Sequence, residues 1–281
     1  MNKRKLRRTS DRAAPHFDSA ATLHREIAGR MIERLSIIRL SAKTIVDAGS
    51  GTGYASKILR QQFADCSVIE LDHSAVMLRQ RANRRRNFWP WSGWRRSPVC
   101  ADFQRIPLAP SSVDLIWSNL ALHWAEDIAA AFAEAHRVLR PGGLLMFSMF
   151  GPDTLKELKD ASANNGFRVN TFVDMHDIGD VLVRSAYGDP VMDMEYLTVT
   201  YASVAAILHD LKAQASACTR EPGHKGLTAR NAYEGVVAGY EKFRREDGRL
   251  PATFEIVYGH AWKPAPRTTP GGKPVIDIRG I

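Results

Sequence analysis

Long hydrophobic runs are missing from this sequence. No stretch approaches the roughly 20 apolar residues that a membrane helix needs, so no membrane role is expected. Cysteine is scarce: Cys66, Cys100 and Cys218 are far apart and odd in number. They form neither a metal-ligand spacing nor a disulfide framework, so no metal is expected and the thiols read as reduced and cytoplasmic. The N-terminus is basic but lacks an apolar stretch, which excludes a secretory signal. Composition alone leaves a mitochondrial presequence open there; the expectation is a disordered basic tail over residues 1–11. Acidic residues are in deficit, 30 against 39 Lys and Arg, for a formal charge of +9. An excess of that sign favours an acidic partner, whether nucleic acid, an anionic membrane or an acidic carrier protein.

What is present fits one large domain, or one domain with an appendage. The chain has 281 residues, 44% apolar and 25% charged, ordinary for a globular protein. Its most informative stretch is Thr44-Ile-Val-Asp-Ala-Gly-Ser-Gly-Thr-Gly53. A short apolar run meets Asp47, then Gly49, Gly51 and Gly53 around Ser50, then a helical pattern from Tyr54. Strand, glycine turn and helix open a nucleotide-binding α/β domain, because the turn needs unusual backbone angles and close approach to a ligand. The third glycine comes one residue too early for the dinucleotide fingerprint, and no Gly-Lys-Ser/Thr follows to make a P-loop. A tight turn without ligand is the alternative.

Upstream, Leu23, Ile27, Met31 and Leu35 recur at helical spacing, within a helix expected from Ala13 to about Leu40. It either covers a ligand cavity or only packs. Downstream, Ser67–Asp72 reads as the second strand, ending in an acid 23 residues beyond Gly49. A carboxylate there can accept both ribose hydroxyls; an acid in an exposed turn is the alternative. Residues 87–97, rich in Trp and Arg, are either a nucleic-acid stacking surface or an inserted loop, and the loop is favoured. Pro98–Asp102 forms a short third strand, with Asp102 for an exocyclic amine and Phe103 to pack on a base. A fourth strand, Leu115–Asn119, leads into Leu120-Ala-Leu-His123-Trp124 at the end where open α/β sheets bind ligands. His123 is either a pocket wall or a hydrogen-bonded structural histidine. A helix from Ile128 and a strand at Leu144–Ser148 complete a right-handed, doubly wound parallel sheet. Helices are expected from Gly151-Pro-Asp onwards and over Met175–Ser185, with closing strands at Met192–Tyr201 and Thr253–Gly259. Residues 203–246 read as a mostly helical insertion, and 265–281 as a flexible tail.

Asp-x-Gly-x-Gly-x-Gly after a strand resembles motif I of the S-adenosylmethionine (SAM) methyltransferases. Trp117-Ser-Asn-Leu-Ala-Leu-His-Trp124, Phe150-Gly-Pro-Asp-Thr-Leu-Lys-Glu-Leu158, Phe172–Asp180, Pro190–Thr198 and Thr253–Lys263 narrow the likeness. In order along the chain, these blocks resemble the malonyl-acyl-carrier-protein O-methyltransferases of biotin synthesis. The resemblance implies an α/β Rossmann-like methyltransferase domain over 12–264, with a helical N-terminal cover and a C-terminal insertion. It implies SAM held by Asp47, Gly49, Ser50, Gly51, Gly53, Asp72, Asp102, Phe103, Asn119 and Leu120, and an acidic carrier protein as partner. Phe17, His123, Trp124, Arg168 and Arg184 are the candidates for the substrate side. Phe17 stands where members of this family commonly carry Tyr, and Thr171 where an Arg often stands, so Arg168 or Arg184 would hold the substrate carboxylate. Both arginines could equally be solvated surface residues. No catalytic acid or base is expected, since a carboxylate nucleophile is already ionised and positioning is the main contribution. Two other functions remain open. One is a SAM-binding assembly factor for respiratory complex I, for which arginine hydroxylation has been proposed. The other, a nucleic-acid methyltransferase, is disfavoured by the absence of an Asn/Asp-Pro-Pro-Tyr/Phe motif.

Overall fold

The computed structural model describes residues 3–63, 65–84, 97–163, 167–216 and 230–265; the side chains of 81–84 are not described. The Trp-rich stretch at 85–96, Cys218 and the expected tail from 266 onwards lie outside those residues. The described residues open as helix where a tail is expected: α1 spans Lys3–Ala13, and Leu6, Ser10 and Ala13 form its buried stripe. Six Lys and Arg side chains obscure that stripe in the sequence, because it contains one large apolar residue.

The single helix expected from Ala13 is broken. Pro15 lacks an N–H and restricts the residue before it, so a turn separates α1 from the one-turn α2 (Phe17–Ala20) and from α3 (Thr22–Ser36). Strands β1 (Thr44–Ala48), β2 (Ser67–Asp72), β3 (Ser97–Cys100), β4 (Val113–Asn119) and β5 (Leu139–Phe150) follow. Between them lie α4 (Tyr54–Gln62), α5 (Ala75–Arg84) and α6 (Ile128–Val138). Then come α7 (Lys156–Ser162), α8 (Met175–Arg184), β6 (Gly188–Tyr201), α9 (Val204–Ala213), α10 (Arg230–Tyr240) and β7 (Leu250–Trp262).

The seven-stranded sheet has the order β3-β2-β1-β4-β5-β7-β6. β1–β5 run parallel, while β7 is antiparallel to both β5 and β6. Alternate residues of each central strand serve opposite faces. Ile45, Leu115, Trp117, Leu144 and Met146 pack with α3, α4, α7, α9 and α10. Val46, Ile116, Leu145 and Phe147 pack with α6 and α8. The order reverses between β1 and β4, placing a crevice at their carboxyl ends, where such sheets receive ligands.

One expected helix start moves. Gly151-Pro-Asp does not open α7, which begins at Lys156. The buried Glu255 of β7 accepts the Asp153 N–H at 2.6 Å through its carboxylate and the Gly151 N–H at 2.9 Å through its carbonyl. The segment is therefore held as a turn. Among the described residues, no helix is long and apolar enough to cross a membrane, and no His/Cys/Asp/Glu cluster could hold a metal.

Candidate active site

β1 delivers Asp47 to the crevice with 1% exposure, and Ser56 of α4 donates its hydroxyl to that carboxylate. Burial, with Glu70 and Asp72 nearby, pushes the Asp47 carboxyl up to about 7. The glycine loop turns under it with φ values of 82°, 53° and 83° at Gly49, Gly51 and Gly53, left-handed values that glycine adopts without a Cβ penalty. A Cβ on Gly49 would stand 2.1 Å from that of Ala121, so loop and β4 exit can meet there only through glycine. Asp72 is buried and not part of an exposed turn. Its Oδ2 accepts the Gly51 N–H at 2.9 Å and its Oδ1 the Ser74 N–H at 2.7 Å, so the carboxylate first shapes the loop. Burial raises the pKa of Asp72 as well.

Four elements meet around a cavity of about 420 Å³ above this loop. Asp47, Gly49, Ser50 and Gly51 form its floor and Asn119 one side, while α2 and α3 close it with Phe17, Asp18, His24 and Arg25. Asn119 is fixed by donating to the His24 carbonyl and accepting from Ser148 Oγ, both at 2.9 Å. Leu120 takes φ 49°, and its N–H is engaged by Ser148, so its side chain turns into the core. Phe17 falls on the cofactor side, its ring 3.6 Å from where a Gly51 Cβ would be. Of the cavity residues, His24, Arg25 and Lys57 were not singled out in the sequence. The only signal for His24 and Arg25 was that a helix preceding β1 could cover a ligand.

A second cavity, of about 220 Å³, holds Asp102 and Phe103 together with His73, Cys100 and Trp124. Helix α1 closes it: Lys3 Nζ bonds Asp102 Oδ2 at 2.7 Å, and Ser10 Oγ lies 3.1 Å from His73 Nε2. Burial alone would raise the pKa of Asp102, yet it lies below the ordinary value because Lys3 and the Gln104 N–H stabilise the anion. Cys66 is half-buried and Cys100 exposed, both as free thiols.

His123 lies between the second cavity, through Trp124, and a third, through Phe150 and Phe172. Its ring packs at 4.7 Å from Trp124, 4.8 Å from Phe150 and 5.2 Å from Phe172. Neither of its nitrogens, nor Nδ1 of His24, has a partner among the described residues. A hydrogen-bonded structural histidine is therefore not what His123 is. Burial holds both imidazoles neutral, down to about 3 for His123 and about 4 for His24. Phe150 and Phe172 continue into an apolar cavity of about 130 Å³, where Leu158, Leu211 and Phe254 meet Arg168. Arg184, by contrast, is exposed at the end of α8 and lines none of these cavities.

The large cavity carries acid (Asp47, Asp18) and base (Arg25, Lys57), matching a zwitterion that bears an ammonium and a carboxylate. Ser50 Oγ, buried and without a partner among the described residues, faces the same space. The residues present thus fit SAM.

Comparison with known proteins agrees. A family model described as a methyltransferase domain matches residues 46–147. The fold is similar to that of phosphoethanolamine N-methyltransferase 2 of Haemonchus contortus, solved in complex with S-adenosyl-L-methionine. The TM-score is 0.54 at 16% identity, covering 90% of this chain and 57% of that one. In sequence the chain is 47% identical over 283 residues to the malonyl-[acyl-carrier protein] O-methyltransferase of Methylovorus sp., covering 99% of this chain and 95% of that protein. It is also 47% identical over 280 residues to the enzyme of the same name from Gallionella capsiferriformans, with 98% and 96% covered. With likeness of that depth along nearly its whole length, the chain belongs to the family of malonyl-acyl-carrier-protein O-methyltransferases.

Proposed function

We propose that this enzyme transfers the methyl group of SAM to the free carboxylate of a malonyl thioester carried by acyl carrier protein, an early step of biotin synthesis. The observation that carries the reading is 47% identity along nearly the whole chain to an enzyme of that name, joined to a cavity whose acids and bases match SAM.

SAM, when bound, supplies a methyl group made electrophilic by its sulfonium. The protein's part is positional. The glycine loop, Asp72 and Asp47 fix the cofactor's place, and α2 and α3 exclude water from one side. His24, which lines the cofactor cavity, stays neutral, so it offers an N–H donor to a carboxylate oxygen without protonating it. The nucleophile is already ionised near neutral pH, so no residue is required as a general base. Arg168, which lines the apolar cavity with Phe172, would orient the malonyl carboxylate. Arg184 is not so placed.

The test is transfer of labelled methyl from SAM to malonyl-acyl carrier protein, with malonyl-CoA and RNA run in parallel. A base-labile methyl ester on the carrier is the expected product. SAM binding without transfer to any thioester would sink the proposal.

A further inference from the structure

A groove on the outer surface belongs to none of the cavities described so far. It lies between α1–α2 and α9, has a volume of about 740 Å³, and is lined by Arg12, His16, His209, Asp210 and Lys212. All but Asp210 are exposed. The one acid among its described residues is already engaged, accepting from the Tyr201 hydroxyl at 2.6 Å and Gln214 Nε2 at 2.7 Å. The exposed side of α1 extends the basic surface through Arg4, Arg7 and Arg8. Asp11 is drawn inward, its carboxylate accepting from Ser74 Oγ at 2.5 Å.

The groove adjoins both halves of the site. α2 is a partition one turn thick: Phe17 and Asp18 face the cofactor cavity, and Ser19 and Ala20 face the groove. At the other end, Lys212 lines both the groove and the apolar cavity that reaches Phe150 and Phe172 against His123. A cationic surface that opens on an apolar pocket lined by Arg168 suits a partner with an acidic face and an acyl arm that ends in a carboxylate.

We infer that the groove between α1–α2 and α9 is where the acidic carrier protein docks, with Arg12, His16, His209 and Lys212 meeting its carboxylates. Its thioester arm enters past Lys212 into the apolar cavity. This rests on the function proposed above. Charges exposed at an interface act mainly on encounter and on salt dependence, so the effect appears in KM and leaves the chemical step alone.

The experiment compares Arg12→Glu and His209→Glu with Lys43→Glu. Lys43 is exposed and precedes β1, at the end of the sheet opposite the site, and its reversal matches the net-charge change of Arg12→Glu. KM for malonyl-acyl carrier protein is expected to rise at least fivefold in both groove variants, with a shallower dependence on salt. SAM affinity and kcat at saturation should stay within twofold. Lys43→Glu should leave KM within twofold of wild type. If both groove variants match Lys43→Glu while the wild type is active, the docking assignment is overturned and the methyl-transfer reading stands. A wild-type enzyme that moves no label to the carrier overturns both.

Discussion

At the scale of single residues, the site works through groups whose charge is set by burial. Asp47 is the clearest case. Its carboxyl, at about 7 in the folded protein, lies well above its unfolded value, so the native state holds the extra proton between about pH 4 and 7. The sign follows: apo-enzyme stability contributed by this group declines as pH rises through that window. A cationic cofactor favours the ionised form. SAM affinity should therefore rise by about tenfold between pH 6 and pH 8, for a single group titrating near 7. Binding near neutrality should release a proton, visible calorimetrically as a dependence of the heat on buffer ionisation enthalpy. Asp47→Asn keeps an acceptor for Ser56 and should flatten the pH profile; a profile unchanged in that variant would remove Asp47 as the linked group. The cavity floor at Asp47, Gly49, Ser50 and Gly51 was legible in sequence because the Gly and Asp positions follow from strand-and-turn geometry. His24 was not, because its place against the cavity depends on how α3 docks on the sheet.

Elements show where local signals lose to distant ones. The five parallel strands could be read from apolar runs and acids, and β6 and β7 from composition. The insertion of β7 between β5 and β6 has no local signature, since pairing such as Phe147 with Gly259 joins residues remote in sequence. At Gly259 even a Cβ would sit 2.3 Å from the Phe147 ring, a reason for glycine visible only after pairing. The start of α7 was misplaced because Glu255, a hundred residues away, captures the backbone that would have begun it. α1 was misread because charge hid its stripe, and that helix bears on function. Lys3 bonds the Asp102 oxygen that we propose for the adenine amine, so the two would compete there. The pair is partly exposed, at 48% and 34%, which limits its worth to about 0.2–1 kcal/mol. Lys3→Ala should therefore tighten SAM binding by up to about fivefold. Unchanged or weakened affinity, measured by titration calorimetry, would show that Lys3 does not compete at that position.

On the scale of the whole molecule, one sheet is shared by two apolar cores, and the cofactor cavity is built from three separate stretches of the chain. Phe17 to Arg25 come from the N-terminal helices, the glycine loop from the first β–α unit, and Asn119 from β4. β4 and β5 contribute alternate residues to both cores, so neither face can unfold while the other keeps its floor. A ligand seated at this junction should stabilise the molecule as one unit. With SAM at about a hundred times its Kd, linkage adds about 2.7 kcal/mol. For a domain of this size that raises Tm by roughly 5–10 °C. A single calorimetric transition is expected to move as a whole, and Asp72→Ala should abolish the shift, because Asp72 holds the Gly51 N–H that shapes the loop. Were the melt instead to split, with SAM moving one component only, the helices over the cavity would be unfolding apart from the sheet. The N-terminal cover would then be an independently mobile element, and cofactor entry would be limited by its opening.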